Sequence, residues 1–205
     1  MPEPPDPALP AWQDTGLVLA AGAGRRFGGP KAPFRLEGER LVDRAVRVLR
    51  AGGCPQVLVV LGAWRGEVPG ASTSWNPHWE EGIGSSLRWG LEQLLAAPEC
   101  AAASLRRRAV ITLVDLPGLT PAAVARMRRE AAELGAASFR GRQGHPVVIG
   151  ARFWPELIGE VQGERGARTF LRRHGAQLIP LEDLACGQDL DHPPQGAVGR
   201  AMRHH

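Results

Sequence analysis

The chain has 205 residues, enough for one domain with a full core or for a domain with a small appendage. Its 43% hydrophobic content is that of an ordinary globular protein, and no apolar run approaches the roughly 20 residues that cross a bilayer, which excludes a helical membrane protein. The net charge of +4 permits nucleic-acid binding, but the basic residues are not gathered for it, and neither nucleic acid nor membrane is expected as a partner. The three cysteines, Cys54, Cys100 and Cys186, have no paired spacing, which argues against a disulfide framework or a zinc site and predicts a reducing, cytoplasmic setting.

Residues 1–15 are proline-rich and acidic, without a basic n-region or an apolar h-region, and read as a disordered tail rather than a signal peptide. The domain proper is expected over 16–195. A short apolar run, Gly16 to Ala20, predicts a buried strand, and it opens into a loop with glycines at 22, 24, 28 and 29, two arginines and Lys31. Glycines let backbone N–H groups turn toward an anion and the cations neutralise it, so the stretch is a proposal for a phosphate cradle; an ordinary strand-to-helix loop fits the same residues. One compositional fact favours the cradle. Among 25 Lys plus Arg, Lys31 is the single lysine, and a compact ammonium sits beside a phosphate where a guanidinium fork does not fit.

Leu41 to Arg50 carries apolar residues at helical spacing and Gly52-Gly53 ends it; Pro55 to Leu61 is then an apolar run of strand length. Strand, helix, strand is a βαβ unit with parallel strands. The segment Ser74 to Gly84 breaks the alternation with Trp75, Asn76, His78 and Trp79, the tryptophans reading as sheet-edge packing or as base-stacking surfaces. It runs into Gly84-Ser85-Ser86, which has the composition of a helix N-cap, and a leucine-faced helix. Arg106, Arg107 and Arg108 read as a solvated loop before the strand Ala109 to Val114. That strand ends in Asp115-Leu116-Pro117-Gly118, where the carboxylate either caps a turn or lies on the rim where parallel sheets bind ligands. A helix over Pro121 to Leu134 and a short strand Ala136 to Phe139 follow, then a flexible loop from Arg140 to Pro146 and a strand Val147 to Gly150, together suggesting a hairpin or a lid. Helices over Phe153 to Val161 and up to His174, and a last strand Leu178 to Leu181, precede Asp189-Leu190-Asp191; residues 196–205 read as a weakly structured tail.

In this order the motifs resemble the nucleotidyltransferases of the molybdenum-cofactor group, the MobA/MocA-like family, and within it the molybdopterin cytidylyltransferase-like branch. The resemblance runs through Leu19-Ala20-Ala21-Gly22, Arg26-Phe27-Gly28 with Lys31, then Asn76, Trp79, Gly82 and Ser86-Leu87. It continues through Asp115 before a proline turn, Gly144-His145-Pro146, the Gly163 to Ala167 turn and Asp189 to Pro193. It departs at Glu164, where the family has Asp, at Val114 and Leu116 around the metal aspartate, and at His192 where Thr is usual.

The resemblance implies a Rossmann-like, three-layer α/β fold of the nucleotide-diphospho-sugar transferase type with a mostly parallel sheet. It implies transfer of a nucleotidyl group from an NTP, CTP favoured, to a phosphorylated acceptor such as molybdopterin, with release of pyrophosphate. Guanylyl transfer, another phosphorylated metabolite as acceptor, or a low-turnover protein that hands cofactor to a molybdenum hydroxylase are the alternatives. Leu19, Ala20, Ala21, Gly22, Ala23 and Gly24 would bind the nucleotide with Leu61, Gly62, Asn76, Gly82 and Ser86 on the base side. Arg26 and Lys31 would hold the departing pyrophosphate, Asp115 and Asp191 would bind Mg²⁺, with Asp189 as the less favoured ligand, and His145, Pro146 and Gly166 would face the acceptor. The attacking phosphate oxygen is already anionic, so the chemistry needs positioning and charge neutralisation rather than a strong base.

Overall fold

A computed structural model describes residues 12–97 and 106–194. Its centre is a seven-stranded sheet in the order β5-β4-β1-β6-β8-β7-β9, formed by β1 (Gln13–Ala20), β4 (Gln56–Leu61), β5 (Ser72–Trp75), β6 (Arg107–Leu113), β7 (Leu134–Phe139), β8 (Arg142–Gly150) and β9 (Gln177–Pro180). β8 alone runs antiparallel to its neighbours, β6 and β7. Two short strands, β2 (Arg35–Leu36) and β3 (Glu39–Arg40), form a separate hairpin whose tip, Glu37-Gly38, has positive φ at both residues.

Both faces of the sheet are covered, which is why its central strands read as unbroken apolar runs. Alternation sends Val18 and Ala20 to one face and Leu17 and Leu19 to the other. The first face packs on α1 (Leu41–Ala51) and α3 (Pro121–Glu130); the second packs on α2 (Ile83–Ala96), α4 (Trp154–Glu160) and α5 (Arg168–Arg173). The result is the expected three-layer α/β architecture. Thr120 caps α3 through its hydroxyl, which accepts from the Ala123 N–H. Among the described residues no helix is long and apolar enough to cross a membrane.

Several boundaries depart from the sequence reading. β1 starts at Gln13, inside the stretch read as tail, because Asp14 is buried and ion-paired. The partner is Arg108, from the run read as a solvated loop. Its Nε and Nη2 donate to the two Asp14 oxygens at 2.7 and 2.9 Å, and its remaining N–H groups donate to the carbonyls of Arg128, Ala131 and Ala132. Arg128 adds a third bond to Asp14, at 2.7 Å. Arg107 is buried as well, its guanidinium on the Leu94 carbonyl and over the Trp154 ring. A charge run can enter a core when each guanidinium finds fixed oxygens, and no local pattern announces that.

The segment Arg140 to Pro146 is a tight β7–β8 hairpin rather than a flexible loop: Arg140 and Gly141 both have positive φ and Phe139 pairs with Arg142. The ladder then jumps from Ala137↔Gly144 to Ala136↔Val147, leaving His145 and Pro146 bulged out of it. α3 stops at Glu130, four residues short of the expected end.

Candidate functional site

The C-terminal ends of β1, β4 and β6 share one rim of the sheet, because the three strands are parallel and in register. On this rim lies a cavity of about 460 Å³. Its first wall is the glycine loop after β1. Gly24, at φ +59°, turns its carbonyl inward to accept from the N–H groups of Phe27, Gly28 and Gly29 at 2.9, 3.0 and 3.2 Å. A Cβ there would stand 2.0 Å from the Gly29 oxygen, so no other residue closes this turn. Buried Phe27, edge-on to Phe34 at 4.8 Å, pins the loop to the body. Gly22, Ala23, Gly24, Arg25, Arg26 and Lys31 all line the cavity.

Facing this cationic wall is Asp115, two residues beyond β6. Lys31 Nζ donates to Asp115 Oδ2 at 2.7 Å and lies 3.9 Å from Asp191 Oδ1. Asp191 reaches the site because the C-terminal segment is tied down at its base, the Leu190 N–H donating to the Asp115 carbonyl at 2.8 Å. The two aspartates, 76 positions apart in sequence, thus flank one ammonium. Asp189 completes a negative cluster: burial and the charges of Asp115 and Asp191 push its carboxyl above the ordinary value, with Lys31 opposing them.

The cavity's other end is built by the loop before α2. Trp79, Glu80, Gly82, Ile83 and Ser86 line it, opposite Leu19 and Ala21. Gly62 lets this wall approach, since a Cβ on it would come within 2.5 Å of the Trp79 Cβ and 2.6 Å of the Ala21 oxygen. Trp75 takes no part; its indole donates to the Gly62 carbonyl at 3.0 Å and the Arg65 guanidinium lies 3.5 Å over its ring. Packing describes Trp75, whereas Trp79 is a wall of the cavity.

Some residues read as nucleotide-binding do not reach the cavity. Asn76 is 1% exposed and its carboxamide is spent: Nδ2 donates to Ser85 and Ser86, and Oδ1 accepts from the His78 N–H at 2.9 Å. It holds the loop's shape, while Ser86 both joins this network and faces the cavity. Leu61 and Ala20 are core side chains, and Leu61 receives the Asn76 N–H on its carbonyl. The serines do not cap α2. The helix begins at Ile83 with Gly82 as N-cap and no side-chain cap, and Ser85 lies inside it, donating to the His78 and Gly82 carbonyls.

The residues read as acceptor-facing lie at two edges rather than in the cavity wall. The bulge carries His145 under β6, where Nδ1 is 3.4 Å from the Ile111 carbonyl. Burial lowers its pKa below the ordinary value, against the raising effects of that carbonyl and of Asp115; Arg168 lowers it further. Gly166 belongs to a turn packed on the start of α2, where the Gly84 N–H donates to the Gly163 carbonyl at 2.8 Å, and Glu164 of that turn faces the cavity. Glu80, Glu164 and Arg25 are wall residues outside the expected site set; Arg25 stands beside Arg26 in the glycine loop and Glu164 in the turn of the family resemblance, so only Glu80 had no signal in the sequence.

Among the described residues no group of three metal-ligating side chains is preassembled. Asp115, just past β6, and Asp191, on the C-terminal segment, nevertheless offer hard oxygen donors that suit a divalent cation such as Mg²⁺, which keeps waters and takes one or two carboxylates together with substrate phosphates.

The chain shares 35% identity over 196 residues with the nicotine blue oxidoreductase of Paenarthrobacter nicotinovorans, covering 86% of this chain and 91% of that protein. It shares 36% identity over 114 residues with a probable molybdenum cofactor guanylyltransferase of Opitutus terrae, covering 56% of this chain and 54% of that one. Among solved structures, Rv0371c of Mycobacterium tuberculosis superposes with a TM-score of 0.68 at 23% identity over 90% of this chain and 95% of that chain. A 4-diphosphocytidyl-2C-methyl-D-erythritol synthase does so at 0.64 and 14% identity over 93% and 96%, and both likenesses establish the nucleotidyltransferase fold. Residues 16–178 match the MobA-like NTP transferase domain, and the protein belongs to that nucleotidyltransferase family.

Proposed function

We propose that the protein moves an NMP group from an NTP to the phosphate of a phosphorylated acceptor and releases pyrophosphate, with Mg²⁺ as the metal. The reading rests on one observation: a glycine turn and three cations share a single cavity with two aspartates, Asp115 just past β6 and Asp191 on the C-terminal segment. In this arrangement Gly22, Ala23 and Gly24 present backbone to the triphosphate, and Arg25, Arg26 and Lys31 neutralise the departing pyrophosphate. With a nucleotide in the cavity, Lys31 would turn from Asp115 to the phosphates, and Asp115 and Asp191 would be the residues that hold the metal. Bound there, Mg²⁺ would supply charge neutralisation at the α-phosphate. No side chain has to act as a strong base, because the nucleophile is an anionic oxygen.

CTP is the nucleotide favoured by the family branch the motifs resemble, and molybdopterin the acceptor; the Opitutus terrae relative is named for guanylyl transfer. The test is a pyrophosphate-release assay with ATP, CTP, GTP and UTP, each with molybdopterin and Mg²⁺. Turnover with CTP above the others is the expected result. A GTP preference moves the protein to the guanylyl branch, and no release with any pair leaves the delivery of cofactor to a molybdenum hydroxylase.

A second reading is favoured by the likeness to nicotine blue oxidoreductase along nearly the whole chain. The same glycine turn and cations would hold the diphosphate of a nicotinamide dinucleotide, whose hydride would do the reduction. Buried Cys54, its thiol pushed up to about 12, offers no redox chemistry of its own. Oxidation of NADH or NADPH in the presence of a quinoid dye separates this reading from the first.

A further inference from the structure

A second cavity, of about 400 Å³, opens beside the tip of the β7–β8 hairpin. Arg142 and Gln143 of β8 form one side, Arg168 and Arg172 of α5 the other, and Leu171 and Leu178 lie between them. The two arginines of α5 are four apart and share a helix face. Gln143 ties the sides together, its carbonyl accepting from Arg168 Nη2 at 3.3 Å. Among the described residues none of the three guanidiniums has a carboxylate partner, whereas Arg173, one position further round the helix, is bonded to both Glu156 and Glu160. The acidic residues of this region therefore serve the neighbouring face and leave the cavity cationic. Leu178 keeps 50% of its surface exposed, while Leu171 is buried at 1%. The hairpin tip is held by the two positive-φ residues Arg140 and Gly141, so that side of the cavity is a fixed turn.

We propose that this cavity is a second anion-binding site, which takes a small molecule bearing a phosphate or carboxylate on an apolar body. Three guanidiniums offer forked donors that match such oxygens, Leu178 offers apolar surface to the body, and the volume suits one small ligand. The site also has a defined relation to the first. β8 carries Arg142 here and, three positions on, His145, whose ring lies against the Ile111 carbonyl of β6, the strand that leads to Asp115. One ligand chemistry thus has two sources: the far end of an acceptor whose reacting phosphate lies at Asp115, or a separate effector. The acceptor source rests on the transfer reaction proposed above, whereas the anion site does not.

The full chain, labelled with ¹⁵N, is titrated with phenyl phosphate, and amide shifts are followed by NMR at both cavities. Saturable shifts at Gly141, Gln143 and Leu178 are expected, with affinity about tenfold weaker in an Arg142→Ala/Arg172→Ala variant, as the loss of charge-assisted bonds requires. Shifts at Gly22 to Gly24 in the same titration report on the first cavity, so the two readings fail separately. A raised KM for the acceptor in the double variant, with that for the NTP unchanged, identifies the acceptor's far end as the ligand. Both KM values unchanged, with phenyl phosphate binding lost, identifies a separate effector. Absence of saturable shifts around the second cavity in the unsubstituted protein, or equal affinity in the variant, overturns the proposal.

Discussion

Replacing Asp14 by Ala removes the carboxylate on which two guanidiniums converge. Asp14 is 1% exposed at its side chain and Arg108 2%, so water cannot take over the lost bonds, whereas Arg128 at 27% can turn outward. The cost therefore falls on Arg108, which keeps its carbonyl partners Arg128, Ala131 and Ala132 but loses its counter-charge. Breaking one side of a buried pair costs about 3–5 kcal/mol, a large share of the about 5–15 kcal/mol that holds a domain. With a urea slope of about 3 kcal/mol per M for a chain of this size, the unfolding midpoint drops by about 1–2 M. Equilibrium unfolding in urea, followed by the fluorescence of the six tryptophans, measures it. The double variant Asp14→Leu/Arg108→Met is expected to recover most of the loss, since it leaves no orphaned charge. A loss below about 1 kcal/mol in the single variant, or a double variant no more stable than the single, would refute the assignment of Arg108 as a buried, carboxylate-dependent cation.

Three further outcomes concern the site. Lys31→Met keeps the fold but lowers kcat for pyrophosphate release by about 10²–10³, the usual cost of one preorganised donor to developing charge; a rate within threefold (~0.65 kcal/mol) of the unsubstituted enzyme removes Lys31 from the reaction. Gly24→Ala, which would place Cβ 2.0 Å from the Gly29 oxygen at a φ of +59°, is expected to raise the dissociation constant for NTP at least tenfold in calorimetry, and unchanged binding would show that this turn does not hold the nucleotide. His145 has a folded-state pKa below its ordinary 6.5, so the unfolded chain takes up more protons as pH falls through that value. Its contribution is constant above about pH 6.5 and destabilising increasingly below it, and the melting temperature of the unsubstituted protein should fall more steeply from pH 7.5 to 5.5 than that of His145→Gln; parallel curves would count against its burial in neutral form.

The periodic parts of the chain were legible in advance. α1, β4 and the core of β6 announce themselves by apolar spacing, and the glycine loop with the lone Lys31 was readable because both its backbone freedom and its charge are local properties. Asp115 stood at a strand end, a position whose meaning follows from parallel topology. What escaped was set by partners distant in sequence. Arg108 looks solvated because Asp14 is 94 positions away and the carbonyls of Arg128, Ala131 and Ala132 are 20 to 24 away, and Arg107 because its carbonyl partner, Leu94, is 13 away. Asn76 looked like a ligand contact because nothing in the sequence says that two helix serines consume its amide. The sequence predicts a loop at His145 and Pro146, since a bulge is a register jump between two strands and leaves no trace in either one.

By itself, then, the sequence determined an alternating α/β domain with a phosphate-sized glycine turn, one ammonium beside it and aspartates after two later segments. Local backbone preference and apolar periodicity suffice for that. Only the tertiary structure decided which of those groups share a cavity: Lys31 between Asp115 and Asp191, Trp79 rather than Trp75 as a wall, Glu80 and Glu164 at the far end. The reason is that those neighbours come from separate segments, the loop after β1, the end of β6, the turn before α2, the turn before α5 and the stretch after β9, and only sheet order and helix packing, which no single segment encodes, bring them to one rim.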